Sequence, residues 1–342
     1  LRVAVYYNNH DVRLEERPMP KIGPGELLIR IEASGICGSD VMGWYRIKKA
    51  PLILGHEVSG EVVEVGDGVK NFNRGDRVAV SHHVPCNTCH YCLRGHHTVC
   101  DTLRKTNFDP GGFAEYIRLP AINVDRGTYL LPEEVSYEEA TFIEPLACVL
   151  RGQKKAGIEP GQSVLVIGSG ISGLLHIKLA GALGAGLVVA TDIYEYRLEA
   201  AKKFGARLTI HAKEDVPIRF RDANNGYLAD IVIVCTSATQ AFSQALQSVE
   251  RDGTILFFAP TEQGVTIPIS VNDLFWRNDI TLTTSYAGSP SDHMVALELI
   301  KAGRIKVNDM ITHRLSLTET GRGFELVASG RDCIKVIIEP QR

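Results

Sequence analysis

The sequence predicts an α/β chain built from a small β-barrel and a doubly wound parallel sheet, and three observations carry that prediction. Short alternating apolar runs at 26–33, 59–65, 77–80 and 113–119 are separated by turns such as Gly23-Pro24-Gly25 and Gly66-Asp67-Gly68. Runs of this kind read as half-buried strands of a barrel or sandwich. From residue 161 the rhythm changes to near-continuous apolar strands alternating with helical stretches, the pattern of a parallel sheet covered on both faces. A glycine hexapeptide stands at the first strand-to-helix turn of that second region.

Each element follows from its own residues. Residues 136–157 read as helical, with Ser136 as N-cap ahead of Glu138-Glu139. Strands are expected at 163–167, 187–191, 231–235, 254–258 and 280–285, with helices at 171–183 and 195–204. After Tyr286 a helix at 292–302 and short strands resume the β character of the start, so the tail is expected to rejoin the first part. The expected division is 1–147 with 286–342, carrying a cysteine lobe at about 82–104, and 148–285 as the α/β part.

Composition bounds the function. Hydrophobic residues at 44% and charged residues at 23% describe a globular chain long enough for two cores. A net charge of −3 without a basic run gives no bulk attraction to nucleic acid or anionic membrane. The apolar stretch 163–191 carries five glycines from Gly168 to Gly184, with His176 and Lys178, and reads as buried core rather than a membrane span. Residues 1–10 lack the charged start and apolar core of an export signal, so a cytoplasmic setting is expected.

Gly168-Ser169-Gly170-Ile171-Ser172-Gly173 matches G-x-G-x-x-G after an apolar strand and at the opening of a helix, the context a dinucleotide site requires. Gly168 makes the turn, Gly170 lets a pyrophosphate approach the backbone, and Gly173 lets helix and strand pack closely. With Ser172 they face phosphate at the helix N-terminus. Asp192 ends the next strand, nineteen residues after Gly173, close to the ~20 expected of a carboxylate on the adenosine ribose. It favours NAD over NADP. Arg197, which could accept a phosphate, pulls the other way.

Eight cysteines divide into a cluster and a scatter. Cys86, Cys89, Cys92 and Cys100, in C-x2-C-x2-C-x7-C spacing, can enclose one Zn²⁺ tetrahedrally, leaving no open position, which makes the site structural. Disulfides, a redox pair or an iron–sulfur cluster are the alternatives. Cys148, Cys235 and Cys333 read as core thiols. His82, His83, His90, His96 and His97 are expected to decorate an exposed lobe. A second constellation is spread along the chain: Cys37 in Cys37-Gly38-Ser39-Asp40, His56-Glu57, and Glu144 before Pro145. One thiolate, one imidazole and a carboxylate make a three-ligand zinc site with an open position, as catalysis needs.

With these motifs the chain resembles the zinc-containing medium-chain dehydrogenase/reductase family. Gly23-Pro24-Gly25-Glu26, Cys37-Gly38-Ser39-Asp40, Gly55-His56-Glu57, Gly75-Asp76-Arg77-Val78, the four cysteines, Glu144-Pro145 and the glycine loop fall in family order along nearly the whole chain. The resemblance implies a GroES-like catalytic domain with a Rossmann domain inserted before its C-terminal part. It also implies one catalytic and one structural zinc, with NAD as cofactor. Cys37, His56 and either Glu57 or Glu144 would hold the catalytic zinc, Asp40 would orient the histidine, and Ser39 would take the substrate proton. Many members carry a relay histidine where this chain has Met42, which leaves water, the cofactor ribose or another side chain to carry the proton onward.

The implied substrate is a small-molecule alcohol of polyol, sugar-alcohol or cyclitol type, with an L-threonine 3-dehydrogenase-like activity as the alternative. Sorbitol-type members follow the cysteine motif with His-Tyr and carry Arg-Tyr after the last Rossmann strand; here Met42-Gly43 and Ser285-Tyr286 stand. Trp44, Tyr45 and Arg46 are candidates to line the site, although an aromatic pair at a strand end is more often packing. A zinc-binding structural protein without catalysis and a zinc-free enone reductase are the readings from other classes. The intact Cys37, Ser39, His56 and Glu57 argue against the first, and the cysteine lobe with the Gly55-His56-Glu57 set argues against the second. A homo-oligomer, tetramer or dimer, is expected, with 281–284 as a pairing edge.

Overall fold

Period-two patterning becomes a mixed sheet in the first part of the chain. Leu27, Ile29 and Ile31 are fully buried, and they pack with Val58, Val62, Val78, Val80, Ile117 and Leu119. The seven strands run in the order Ile311–Ser316, Lys335–Glu339, Leu27–Gly35, Glu57–Val65, Arg77–Ser81 and Thr128–Leu130, with Tyr116–Leu119 branching onto Leu27–Gly35. All pairs are antiparallel except the first. A three-stranded sheet of Asp11–Glu16, Arg2–Asn8 and Leu52–Ile53 lies in the same unit.

This computed structural model describes all 342 residues, which form two units, Leu1–Ala147 with Ala287–Arg342 and Cys148–Tyr286. The second unit is a six-stranded parallel sheet. Its order is Leu208–His211, Leu187–Asp192, Ser163–Ile167, Ala229–Val234, Val249–Phe257 and Thr281–Thr284. The chain therefore starts in the middle of the sheet, winds to one edge, and crosses to the other. That reversal beside Ser163–Ile167 is the topological switch point at which doubly wound sheets place ligands.

Two expectations change in detail. The helix expected over 136–157 is two helices, Tyr137–Ala140 and Ile143–Ala156. Ser136 caps the first with a reciprocal bond to Glu139, and the Thr141 hydroxyl bonds the Glu138 carbonyl at 2.7 Å where the break falls. The strand Leu208–His211 and the helices Val216–Ala223 and Thr239–Ser248 complete the α/β alternation between the elements expected from patterning.

His176 on the helix Ile171–Ala182 is wholly buried, with Nδ1 3.2 Å from Gln153 Nε2 and its ring edge-on to Phe258 at 4.6 Å. Burial pushes its imidazole down to about 3. The unfolded chain takes up that proton first, near an ordinary pKa of about 6.5. The contribution to stability is therefore complete above about pH 6.5 and falls away as pH drops, on the order of 4 kcal/mol by about pH 3. A His176→Leu variant is expected to lose less melting temperature than the parent between about pH 6.5 and about pH 4. Superimposable acid profiles would contradict that assignment.

Candidate metal centres and glycine loop

Strand register assembles the first centre. Gly35 pairs with Glu57, so Cys37, two residues beyond one strand, arrives beside His56 at the head of the next. Glu57 also pairs with Ser81, which brings His82 opposite His56 with ring centroids 4.9 Å apart. On the other side Ile337 pairs with Gly35 and the Ile36 N–H donates to Val336 O at 3.0 Å, which draws Lys335 to the same end of the sheet. The ligand atoms of Cys37, His56 and Glu57 lie within 4.8 Å of one another.

The turn after Cys37 fixes its partners. The Asp40 N–H donates to Cys37 O and the Cys37 N–H to Asp40 Oδ2, both at 3.0 Å. The Ser39 N–H donates to the Cys37 sulfur at 3.4 Å. Asp40 is fully buried, with Oδ1 3.3 Å from His56 Nδ1. His56 Nε2 is thus the nitrogen left for a metal, the second-sphere arrangement of ligating histidines. Burial opposes the charge on Asp40, but His56, then Arg46 and the Cys37 N–H, outweigh it and hold the carboxyl below its ordinary value. His56 mirrors this: burial disfavours its charged form, yet Asp40 and Cys37 keep it well above the usual imidazole range. A thiolate, an imidazole with its far nitrogen anchored, and a buried carboxylate suit Zn²⁺.

Glu57 has a partner that sequence reasoning missed. Lys335 is fully buried and its ammonium donates to Glu57 Oε2, with Ile36 O at 3.4 Å. A Cβ on Gly35 would come within 2.7 Å of Lys335 Nζ, so only glycine leaves room for the pair. Its one trace in the sequence is a lysine heading the apolar strand Lys335–Glu339. Glu144, on the first turn of Ile143–Ala156, is outside the three-residue group and lines a small pocket with Tyr129 and His293.

The histidines divide. His90 and His96 are exposed as expected, whereas His82 and His83 are half-buried, stacked at 3.7 Å, and directed towards His56. That corrects their placement on an exposed lobe; the ladder between Glu57–Val65 and Arg77–Ser81 carries them inward. Burial pushes His82 well below its ordinary value. It pushes His83 down to about 4, helped by the charges of His56 and Arg46.

The second centre is local. All four ligand sulfurs of Cys86, Cys89, Cys92 and Cys100 lie within 4.8 Å of one another and no cysteine is in a disulfide. The Cys86 thiol is brought down to about 5, chiefly by the Thr88 backbone N–H and hydroxyl, and burial raises Cys92 to about 12. Four sulfurs with no gap in the set suit a closed structural zinc site.

In the second unit Gly168 turns at φ +95°, and the helix Ile171–Ala182 starts three residues later with Ser172 in its first turn. Asp192 accepts the Ser169 N–H at 2.8 Å, and the N–H groups of Ile193 and Tyr194 at 2.8 and 3.0 Å. Arg197 Nη1 stands 3.6 Å from the same carboxylate. The aspartate therefore joins the ends of two neighbouring strands around the glycine loop.

Residues 23–127 match the family model of the alcohol dehydrogenase GroES-like domain, and 172–302 that of zinc-binding dehydrogenases. The chain is 34% identical to sorbitol dehydrogenase of Gallus gallus, covering 98% of this chain and 95% of that protein. It is 33% identical to D-xylulose reductase A of Aspergillus niger, over 96% and 94%. The crystal structure of 2R,3R-butanediol dehydrogenase from Bacillus subtilis superposes with a TM-score of 0.86 at 27% identity, over 99% of each chain. A GroES-like unit, a Rossmann-like parallel sheet and a thiolate–imidazole–carboxylate cluster define a zinc-dependent, NAD-linked alcohol dehydrogenase. The chain belongs to the zinc-containing medium-chain dehydrogenases, in their polyol branch.

Proposed function

We propose that Leu1–Ala147 with Ala287–Arg342 is the catalytic domain and Cys148–Tyr286 the NAD-binding domain. Cys37, His56 and Glu57 are the catalytic zinc ligands, Cys86, Cys89, Cys92 and Cys100 hold a structural zinc, and the substrate is a secondary alcohol of polyol, sugar-alcohol or cyclitol type. The observation that carries this is the meeting of Cys37, His56 and Glu57 within 4.8 Å with Asp40 behind the histidine. Zinc supplies Lewis-acid polarisation of the substrate hydroxyl, and NAD accepts the hydride.

The chain's own residues do the rest. Asp40 holds the His56 ring by Nδ1 and keeps the Cys37 N–H bonded, so both ligands are positioned before substrate arrives. Ser39 Oγ receives the substrate proton. It also accepts from Arg46 Nη2 at 3.4 Å, and a guanidinium cannot take a proton in turn. Arg46 therefore does not continue the relay, and the proton would pass from Ser39 to water. Glu144, beyond the ligand group, acts on the centre through water. Asp192 would hold the adenosine ribose and select against a 2′-phosphate, and Gly168, Gly170, Ser172 and Gly173, with Arg197 beside them, would receive the pyrophosphate.

We further read the protein as a cytoplasmic homo-oligomer, dimer or tetramer. Eight cysteines without a disulfide fit a reducing compartment, and no helix is long and apolar enough to cross a membrane. Thr281–Thr284 is an edge strand, and Val271, Phe275 and Trp276 just before it are 66%, 53% and 63% exposed, as a pairing edge requires.

The test is NAD reduction across sugar alcohols, inositols, simple secondary alcohols and L-threonine, with and without a chelator. Chelator-sensitive activity on the polyols is expected. Activity confined to L-threonine, or indifferent to metal removal, would overturn the reading.

A further inference from the structure

The segment that follows the cysteine motif brings positive charge to the site. Residues 41–51 contain Arg46, Lys48 and Lys49 and no acid. The short helix Gly43–Arg46 begins at Met42, and the Arg46 N–H donates to Met42 O at 3.0 Å. That single turn folds the Arg46 side chain back onto the cysteine motif. Nε donates to Ser39 O at 2.9 Å, and Nη2 to Ser39 Oγ at 3.4 Å. Asp40 Oδ1 is 3.6 Å from Nη2 and is the only carboxylate oxygen in ion-pair range of Arg46.

Asp40 does not consume this cation. Its Oδ2 is taken by the Cys37 N–H, and its Oδ1 is shared with His56. The guanidinium is held along its Nε and Nη2 edge and against the Tyr45 ring, 4.8 Å from the centroid. Lys49 Nζ stands 3.9 Å from the same ring. Nη1 makes no hydrogen bond to the protein, and the side chain remains 15% exposed. A fixed guanidinium with one free amino group, beside the hydroxyl that meets the substrate and next to a second cation, is built to receive an oxyanion.

We propose that Arg46 binds an anionic group of the substrate, so that the alcohol oxidised is a polyol-type compound bearing a carboxylate or phosphate close to the reacting carbon. This rests on the reading of Cys37, His56 and Glu57 as the catalytic centre with Ser39 at the substrate hydroxyl. A neutral polyol would leave the free donors of Arg46 to water, and a site built for a polar partner discriminates against the analogue lacking it.

The experiment uses zinc-loaded protein with NAD and matched pairs differing only in the charged group: sorbitol against gluconate, and sorbitol against sorbitol 6-phosphate. The charged member is expected to have kcat/KM higher by about tenfold or more, and a KM that rises with ionic strength while that of sorbitol does not. The carboxylate and phosphate arms identify which anion is read. Calorimetric affinity of the zinc-loaded protein for gluconate over sorbitol gives a readout independent of turnover. In Arg46→Gln the charged-to-neutral ratio should collapse towards one, with Arg46→Lys between the two. Preference for sorbitol with zinc-dependent turnover intact would overturn this inference and leave the proposed function standing. So would an Arg46→Gln effect equal on both members, which marks a positioning role at Ser39, or one confined to the KM of NAD, which marks cofactor binding. Silence on every pair, with zinc and NADH bound, would overturn both.

Discussion

Replacing Cys37 by serine is expected to abolish turnover while leaving a folded protein that still retains the zinc of the cysteine lobe. Cys37 lies just past the strand Leu27–Gly35 and is only partly buried. Serine is a near-isostere but a poor zinc ligand, because the soft thiolate carries the affinity. Loss of an outer partner of a metal site costs about 10–100-fold, so loss of a direct ligand should cost at least about 100-fold. Cys89→Ser should behave in the opposite way. Its sulfur is 3.6 Å from that of Cys92, in a lobe whose buried side chains are few. Zinc there supplies folding free energy, on a scale of about 10 kcal/mol in small zinc domains. The expected outcome is a lowered melting temperature with the Cys37 centre intact. Zinc content and melting of the two variants, read side by side, check both. Full turnover in Cys37→Ser would place the reacting metal elsewhere, and parental melting of Cys89→Ser would remove the structural role.

What was legible in advance is what lies close along the chain. The cysteine lobe and the glycine loop are each completed within a short segment, so spacing alone shows their chemistry. The strands around the glycine loop were readable because both faces are covered and the apolar runs are continuous. The first metal centre is different. Cys37 and His56 are recognisable by motif, but their meeting depends on the Gly35–Glu57 register, and the inward turn of His82 on the Glu57–Ser81 register. Neither register is written in any local pattern. Arg46 was visible only as a candidate lining residue, since its return to Ser39 depends on the single turn started at Met42. Lys335 lies farthest from inference, because 278 residues separate it from Glu57.

That distance makes Lys335→Met the most informative test of the fold around the centre. Methionine matches the length of the buried stem, so packing against Phe142, whose ring centroid is 5.5 Å from Nζ, is largely kept. What is lost is the only cation paired with a carboxylate that is 1% exposed. Removing one partner of a buried ion pair costs about 3–5 kcal/mol, because the other charge is left without compensation. A bound zinc ion would restore positive charge beside Glu57. The variant should therefore melt far below the parent after chelation and recover a good part of the difference when zinc is added, more than the parent gains. Glu57→Gln in the Lys335→Met background removes the stranded charge and should recover stability in the chelated protein, giving a coupling of about 1 kcal/mol or more in the double-mutant cycle. Equal melting of parent and Lys335→Met without metal would show that Glu57 needs no cation. Additive effects of the two substitutions would show that the pair is not coupled.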